Sequence, residues 1–184
     1  NCTGFQNWRK DPAVKREGFL GGGCHALDLT RYLAGDPTEV FAYTNHKLLP
    51  DWPTCDTGVA VAKFPDGVIG RIFVSVGVKR PYTMRTLFYG TKGTIICDNK
   101  SPTIKLYQHC TTDNGEHKYP AEEIPVDINN HNATAEFKEF ADCLVNDTPI
   151  ATTVYEGAKT IVACLSIVEA SNTGKIINPD YNFK

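Results

Sequence analysis

Two β-branched runs, Val59-Ala60-Val61-Ala62-Lys63-Phe64 and Val68-Ile69-Gly70-Arg71-Ile72-Phe73-Val74, flank Pro65-Asp66-Gly67, and no other feature constrains the fold as much. Proline sets the first turn dihedral and glycine takes the positive one, so the chain reverses and the runs pair as a hairpin. A second unit follows the same rule: Arg85–Tyr89 and Thr94–Cys97 flank Gly90-Thr91-Lys92-Gly93. Val40–Thr44 reads as a strand ahead of both hairpins and Thr103–Tyr107 as one behind them. The polar stretch from Gln108 to Tyr119 reads as an exposed loop.

Outside this block the period changes from two to nearly four. Leu27, Thr30, Arg31 and Ala34 share one side of a predicted helix over 24–34, which Gly35 stops and Asp36-Pro37 keeps from continuing. Phe137, Phe140, Ala141 and Leu144 form one apolar stripe of a second helix. Thr153-Val154-Tyr155-Glu156 fits a capping box. The helix it opens is expected to turn Ala158, Ile161, Val162, Leu165 and Val168 inward and to end at Gly174. Strands in the middle and helices at both ends predict an α+β domain. Its open, mostly antiparallel sheet is expected to have five or more strands, with the helices near His25 and Thr153 on one face. By strand alternation Val68, Ile72 and Val74 point to one side, Ile69 and Phe73 to the other. Helices cover only one side, so the apolar remainder predicts a homo-oligomer.

The 184 residues suit a single domain over 1–184. Basic and acidic residues number 19 and 21 with no long block of either sign, which argues against a nucleic-acid partner. No apolar run is long enough for a membrane span. The seven cysteines are odd in number and contain no Cys-x-x-Cys pair, so reduced thiols and a cytoplasmic location are expected. The only methionine is Met84, so the chain reads as a fragment or processed product.

Chemistry concentrates in Gly21-Gly22-Gly23-Cys24-His25-Ala26-Leu27-Asp28. Three glycines before a helix allow a ligand to approach the backbone, and free helix amides favour negative charge. A histidine in the first helical turn is kept neutral by the helix dipole and can accept a hydroxyl proton during alcohol oxidation. Asp28 is placed to orient that ring. The same residues also fit a glycine-rich lead-in loop with a capping histidine. Lys79, Arg80 and Tyr82 can donate hydrogen bonds to a polyol or form a solvated strand end. His109, His117 and His131 lack metal-ligand spacing, and Asp51, Asp56 and Asp66 read as turn residues. No Gly-x-Gly-x-x-Gly follows a strand, so no cofactor-binding residue and no metal ligand is assigned.

An ordered series of motifs resembles the glucose–fructose oxidoreductase and inositol dehydrogenase family (Gfo/Idh/MocA) along nearly the whole chain. It runs Trp8-Arg9-Lys10-Asp11-Pro12, Gly21 to Leu29, Arg31-Tyr32-Leu33-Ala34-Gly35, Gly90-Thr91-Lys92-Gly93-Thr94, Glu136–Phe140, Pro149 and Ala170–Lys175. The resemblance implies the dihydrodipicolinate-reductase-like C-terminal domain of a two-domain oxidoreductase, whose Rossmann domain for NAD or NADP lies outside this chain. It implies hydride transfer to or from a sugar, cyclitol or related polyol, with His25 assisting proton transfer. Trp8, Arg9, Asp28, Lys79, Arg80 and Tyr82 are the implied substrate contacts. Many relatives carry an aspartate four residues before the histidine; Gly21 stands there instead, so a histidine–aspartate pair does not carry over. Two other functions fit the resemblance: an NAD-dependent glycosidase, and a non-catalytic sugar-binding or assembly module.

Overall fold

A computed structural model describes residues 7–128 and 133–183. Cys2 and His131 lie outside the described residues. The main elements are α1 (Cys24–Ala34), β1 (Glu39–Asn45), β2 (Thr57–Lys63), β3 (Ile69–Ser75), β4 (Arg85–Gly90), β5 (Gly93–Asp98), β6 (Thr103–Tyr107), β7 (Thr111–Asp113), β8 (Glu116–Lys118), β9 (Glu122–Pro125), α2 (Ala133–Asn146) and α3 (Val154–Thr173). They pack as two compact units, Asn1–Lys79 with Ala151–Lys184, and Arg80–Ile150.

In the first unit β1, β2 and β3 form an antiparallel sheet in that order, with Tyr43 opposite Val59 and Val59 opposite Phe73. The predicted hairpin is present: Pro65-Asp66-Gly67 makes the turn, with positive φ at Asp66 and Gly67. Alternation decides the faces. Gly58, Ala60 and Ala62 of β2 are buried while Val59, Val61 and Lys63 between them are exposed. The buried face is small on purpose, because helices lie on it: Phe19, Leu27, Ile72, Ala163, Cys164 and Ile167 complete the core. At Gly58 a Cβ would sit 2.5 Å from the Phe19 ring, so only glycine admits that ring.

Helix α1 buries Leu27 and Arg31 on the expected side. Helix α3 has the predicted caps, with Glu156 N donating to Thr153 Oγ1 and Gly174 left-handed at the end. Its predicted inner face is corrected. Thr160, Ala163, Cys164, Ile167 and Ala170 are the buried stripe, whereas Ile161 and Leu165 are about half exposed. The helix is apolar around most of its surface, and the narrow residues face β1 because they let the helix approach the sheet. Among the described cysteines Cys164 is buried and its thiol is pushed by burial up to about 12, which makes it inert packing.

In the second unit β4, β5, β6 and β9 form an antiparallel sheet in that order, with Gly90 opposite Gly93 at the second predicted hairpin. The stretch expected as a loop holds a small hairpin, β7 and β8, joined by Asn114-Gly115 with both residues at positive φ. Asn-Gly is a strong two-residue turn, and it closes this hairpin although both strands are exposed. Helix α2 forms as predicted, and none of its described side chains is buried. The antiparallel α+β character therefore holds. The strands divide into ladders of three, four and two rather than one of five or more, since Val76–Met84, with Gly77 and Pro81, makes no strand pairing.

Candidate functional site

The glycine triplet is not an open loop. Phe19–Gly23 forms a single π-helical turn that runs directly into α1, and Gly21 N already donates to Glu17 O at 2.8 Å. The positive end of this helical run thus lies at Gly18, nearly two turns upstream of His25, and the triplet's amides are not offered to a ligand as a free loop would offer them. A π turn inside a helix often marks a functional position, because it widens the turn and re-aims the side chains after it.

His25 is exposed in the α segment of this run. Among the described residues its ring has no hydrogen-bond partner, and the residue at the cap is Gly23, without side-chain capping. The capping alternative therefore has no hydrogen bond behind it. Asp28 does not orient the ring. It accepts a hydrogen bond from Thr160 Oγ1 of α3 and lies 3.5 Å from Arg31 Nη1.

Arg31 is the centre of this second arrangement. Its side chain is 5% exposed, and Nη1 donates to Thr160 Oγ1 at 2.6 Å and to Glu156 O at 3.0 Å. Nε donates to Asp36 at 2.8 Å and Nη2 to Glu156 Oε2 at 3.2 Å. Lys159 adds its charge to Glu156 and Asp36. Hydrogen bonding from Lys159, then Arg31, holds the Glu156 carboxyl below its ordinary range. These bonds clasp α1 to α3, and the clasp is structural. Its only sequence signal was a charged residue, Arg31, on the side of the helix shared with Leu27 and Ala34.

Trp8 and Arg9 come together, and Arg16 joins them. The Arg9 and Arg16 guanidiniums lie 5.2 and 5.0 Å from the centre of the Trp8 ring. Arg9 Nε is buried without a partner, while Arg16 Nη2 donates to Gly21 O at 2.7 Å. Arg16 was not singled out by any motif. It reaches this place only because the chain loops back between Pro12 and Gly18.

Lys79 is exposed at the end of the first unit's segment, and Arg80 and Tyr82 are exposed in the second. Asn99 Nδ2 donates to Tyr82 O at 3.4 Å. An open cleft also lies in the second unit beside Thr91, Lys92, Tyr107 and Tyr119. Among the described residues no group of three or more His, Cys, Asp or Glu can hold a metal. Nor do they form a glycine-rich strand–turn–helix seat for a dinucleotide pyrophosphate, since every ladder is antiparallel. The described residues thus offer no Rossmann-type seat for a nicotinamide cofactor's phosphates.

Comparisons with known proteins agree with this geometry. A search of curated proteins finds no match. Among solved structures, levoglucosan dehydrogenase in complex with NADH is 15% identical with a TM-score of 0.79, over 94% of this chain and 53% of that one. The aldose–aldose oxidoreductase from Caulobacter crescentus, complexed with glycerol, is 18% identical with a TM-score of 0.76, over 94% and 51%. A probable dehydrogenase from Thermotoga maritima is 21% identical with a TM-score of 0.69, over 91% and 50%. At these identities the likeness is one of fold, and the chain spans about half the length of each. A family model for the GFO/IDH/MocA C-terminal domain matches residues 3–96, half of the chain, from before Trp8 through α1 and the first sheet into β5. The chain belongs to the GFO/IDH/MocA C-terminal domain family.

Proposed function

We propose that this chain is the substrate-side domain of an NAD(P)-dependent oxidoreductase acting on a sugar, cyclitol or related polyol. The observation that supports this most is the family match over 3–96, which includes an exposed His25 whose ring is not engaged by the fold. A nicotinamide cofactor, NAD or NADP, would supply the hydride chemistry when bound, and a Rossmann domain outside this chain would hold it. The residues here bind and orient the polyol and move the hydroxyl proton. His25 takes that proton at its ring nitrogen as the hydroxyl carbon is oxidised. Trp8 and Arg9 hold the substrate, with Lys79, Arg80 and Tyr82 as further donors, and Asp28 serves through the clasp that positions α1.

A second copy of the chain is the proposed partner for the uncovered face of the first sheet. Cross-strand neighbours Tyr43, Val59 and Phe73 form one apolar row there, with Val61 beside it and Ile69 further along the same face, past Arg71. Tyr43 is 70% exposed and Ile69 79%. A continuous apolar face of this kind is covered in most stable proteins. Among the described residues no helix is long and apolar enough to cross a membrane, and a cytoplasmic location is part of this proposal. The functional test is NADH formation by the full-length protein that carries this chain, assayed across neutral polyols, aldoses and acidic sugars with NAD+ and NADP+. Dihydronicotinamide formation with at least one of them is expected. No turnover with any of them, in either direction, overturns the reading.

A further inference from the structure

The two arginines beside Trp8 make an unusual pair. Each guanidinium rests on the same indole ring, and the Arg9 charge, after burial, is the main influence that lowers the Arg16 pKa from its ordinary value. Arginine nevertheless stays charged, so two like charges are held side by side. Among the described residues no carboxylate lies within ion-pair distance of either one. The acidic neighbours in sequence are turned elsewhere: Asp11 accepts from Ala13 N, and Glu17 accepts from Cys55 N. Arg9 Nε is buried and unpartnered. A guanidinium has five donors, and among the described residues the one hydrogen bond made by the pair is from Arg16 Nη2 to Gly21 O. Like charges that are partly desolvated and unpaired are unfavourable unless an anion completes them.

The location connects this pair to His25. Residues one turn apart on a helix share a face, and Gly21 lies four residues before His25 in one continuous helical run. Arg16 lies directly over Gly21: a Cβ there would stand 2.7 Å from Arg16 Nε and 3.3 Å from its Cγ. Glycine is what lets the arginine lie against the helix at the position four residues before His25. Trp8 meanwhile holds both guanidiniums as flat, pre-positioned donors, which suits a planar oxyanion approached edge-on.

We propose that Arg16, together with Arg9, binds a negatively charged oxyanion on the substrate, so that the molecule acted on is an acidic sugar, a sugar carboxylate or sugar phosphate, rather than a neutral polyol. Arg16 is thus a specificity-determining residue of the site proposed above, and this inference rests on that reading for the role of His25.

The test uses three ligands with a common ring, D-glucose, D-glucuronate and D-glucose 6-phosphate, on the full-length protein with NAD+. Binding is read by calorimetry and turnover as kcat/KM. One anionic sugar should exceed glucose by about tenfold or more, the scale of a charge-assisted bidentate contact, and which one it is identifies carboxylate or phosphate. Arg16→Gln should remove about tenfold of that preference through KM, and Arg16→Lys should restore part of it. Gly21→Asp crowds Arg16 from its place and sets a carboxylate against it, so it should abolish the preference too, and a circular dichroism spectrum like that of wild type shows that each variant is folded. Equal use of glucose and both anions, or a folded Arg16→Gln protein with the preference intact, overturns the inference. If glucose is oxidised while the anions bind no better, the inference alone falls. If the anions bind through Arg16 and no hydride reaches NAD+, the oxidoreductase reading falls and the anion site stands. If nothing binds or reacts, both fall.

Discussion

Replacing Arg31 with methionine removes the clasp between α1 and α3 while keeping most of the buried aliphatic stem. Two of the lost bonds, to Thr160 Oγ1 and Glu156 O, are made by a guanidinium that is 5% exposed. Each such bond contributes about 1 kcal/mol net, somewhat more when the donor is charged. The carboxylates of Asp36 and Glu156 are 32% and 46% exposed, so water replaces much of what they lose and they add little. Thr160 keeps its bond to Asp28, which limits the damage. The expected loss is thus about 2 to 4 kcal/mol, below the cost of breaking a fully buried pair. Trp8 and Trp52, the two tryptophans of the chain, both belong to the first unit, so tryptophan fluorescence during urea unfolding reports the unit that holds the clasp. The midpoint should fall by about 1 M or more at unchanged slope. A loss under about 0.5 kcal/mol would show that the arginine network adds nothing to holding the helices together.

Two further predictions concern acid stability and assembly. Asp56 is fully buried and accepts from Leu48 N and Leu49 N at 2.8 Å and from Thr57 Oγ1 at 2.9 Å; burial works against its ionisation, but these donors outweigh it and its pKa is lowered. A depressed carboxyl stabilises fully above its unfolded value of about 3.9 and loses that contribution as pH falls through the folded value, so Asp56→Asn should be less stable at neutral pH and should lose less of its remaining stability in acid, as read by urea midpoints at stepped pH; parallel acid profiles would refute this. Light scattering should find a dimer or larger assembly, and Phe73→Glu, which puts a charge in the middle of the exposed apolar row, should yield monomers with an intact circular dichroism spectrum; a wild-type protein that is strictly monomeric at high concentration would contradict the proposed interface.

The parts of the fold that local rules control were legible in the residues. Pro65-Asp66-Gly67, Thr153 with Glu156, and Gly174 each act through neighbours a few positions away, and each occurs where the pattern places it. The inner face of α3 was not legible, because Ile161 and Leu165 outweigh Ala163 and Ala170 in hydropathy and only the closeness of β1 selects the small side. The β7–β8 hairpin carries no apolar alternation, and the Asn114-Gly115 turn was its one signal. Of the residues proposed for the site, Arg9 lies against the Trp8 ring, and the His25 ring has no hydrogen bond among the described residues. Asp28 instead belongs to the clasp, since its partner Thr160 lies 132 residues away and no spacing along the chain encodes that contact. The same holds for Arg16, whose place over Gly21 depends on how the first segment folds back.

The most direct measurement of the central claim is a comparison of kcat and KM for wild-type and His25→Asn full-length protein on its best sugar substrate. Asparagine keeps the polarity and much of the size of histidine but cannot accept the proton, and the His25 ring has no hydrogen bond among the described residues to lose. A proton acceptor helps most in the transition state, so kcat should fall by about a hundredfold to ten-thousandfold while KM changes by no more than about threefold. A His25→Asn protein with near-normal kcat would contradict the account and leave His25 as a surface residue of α1.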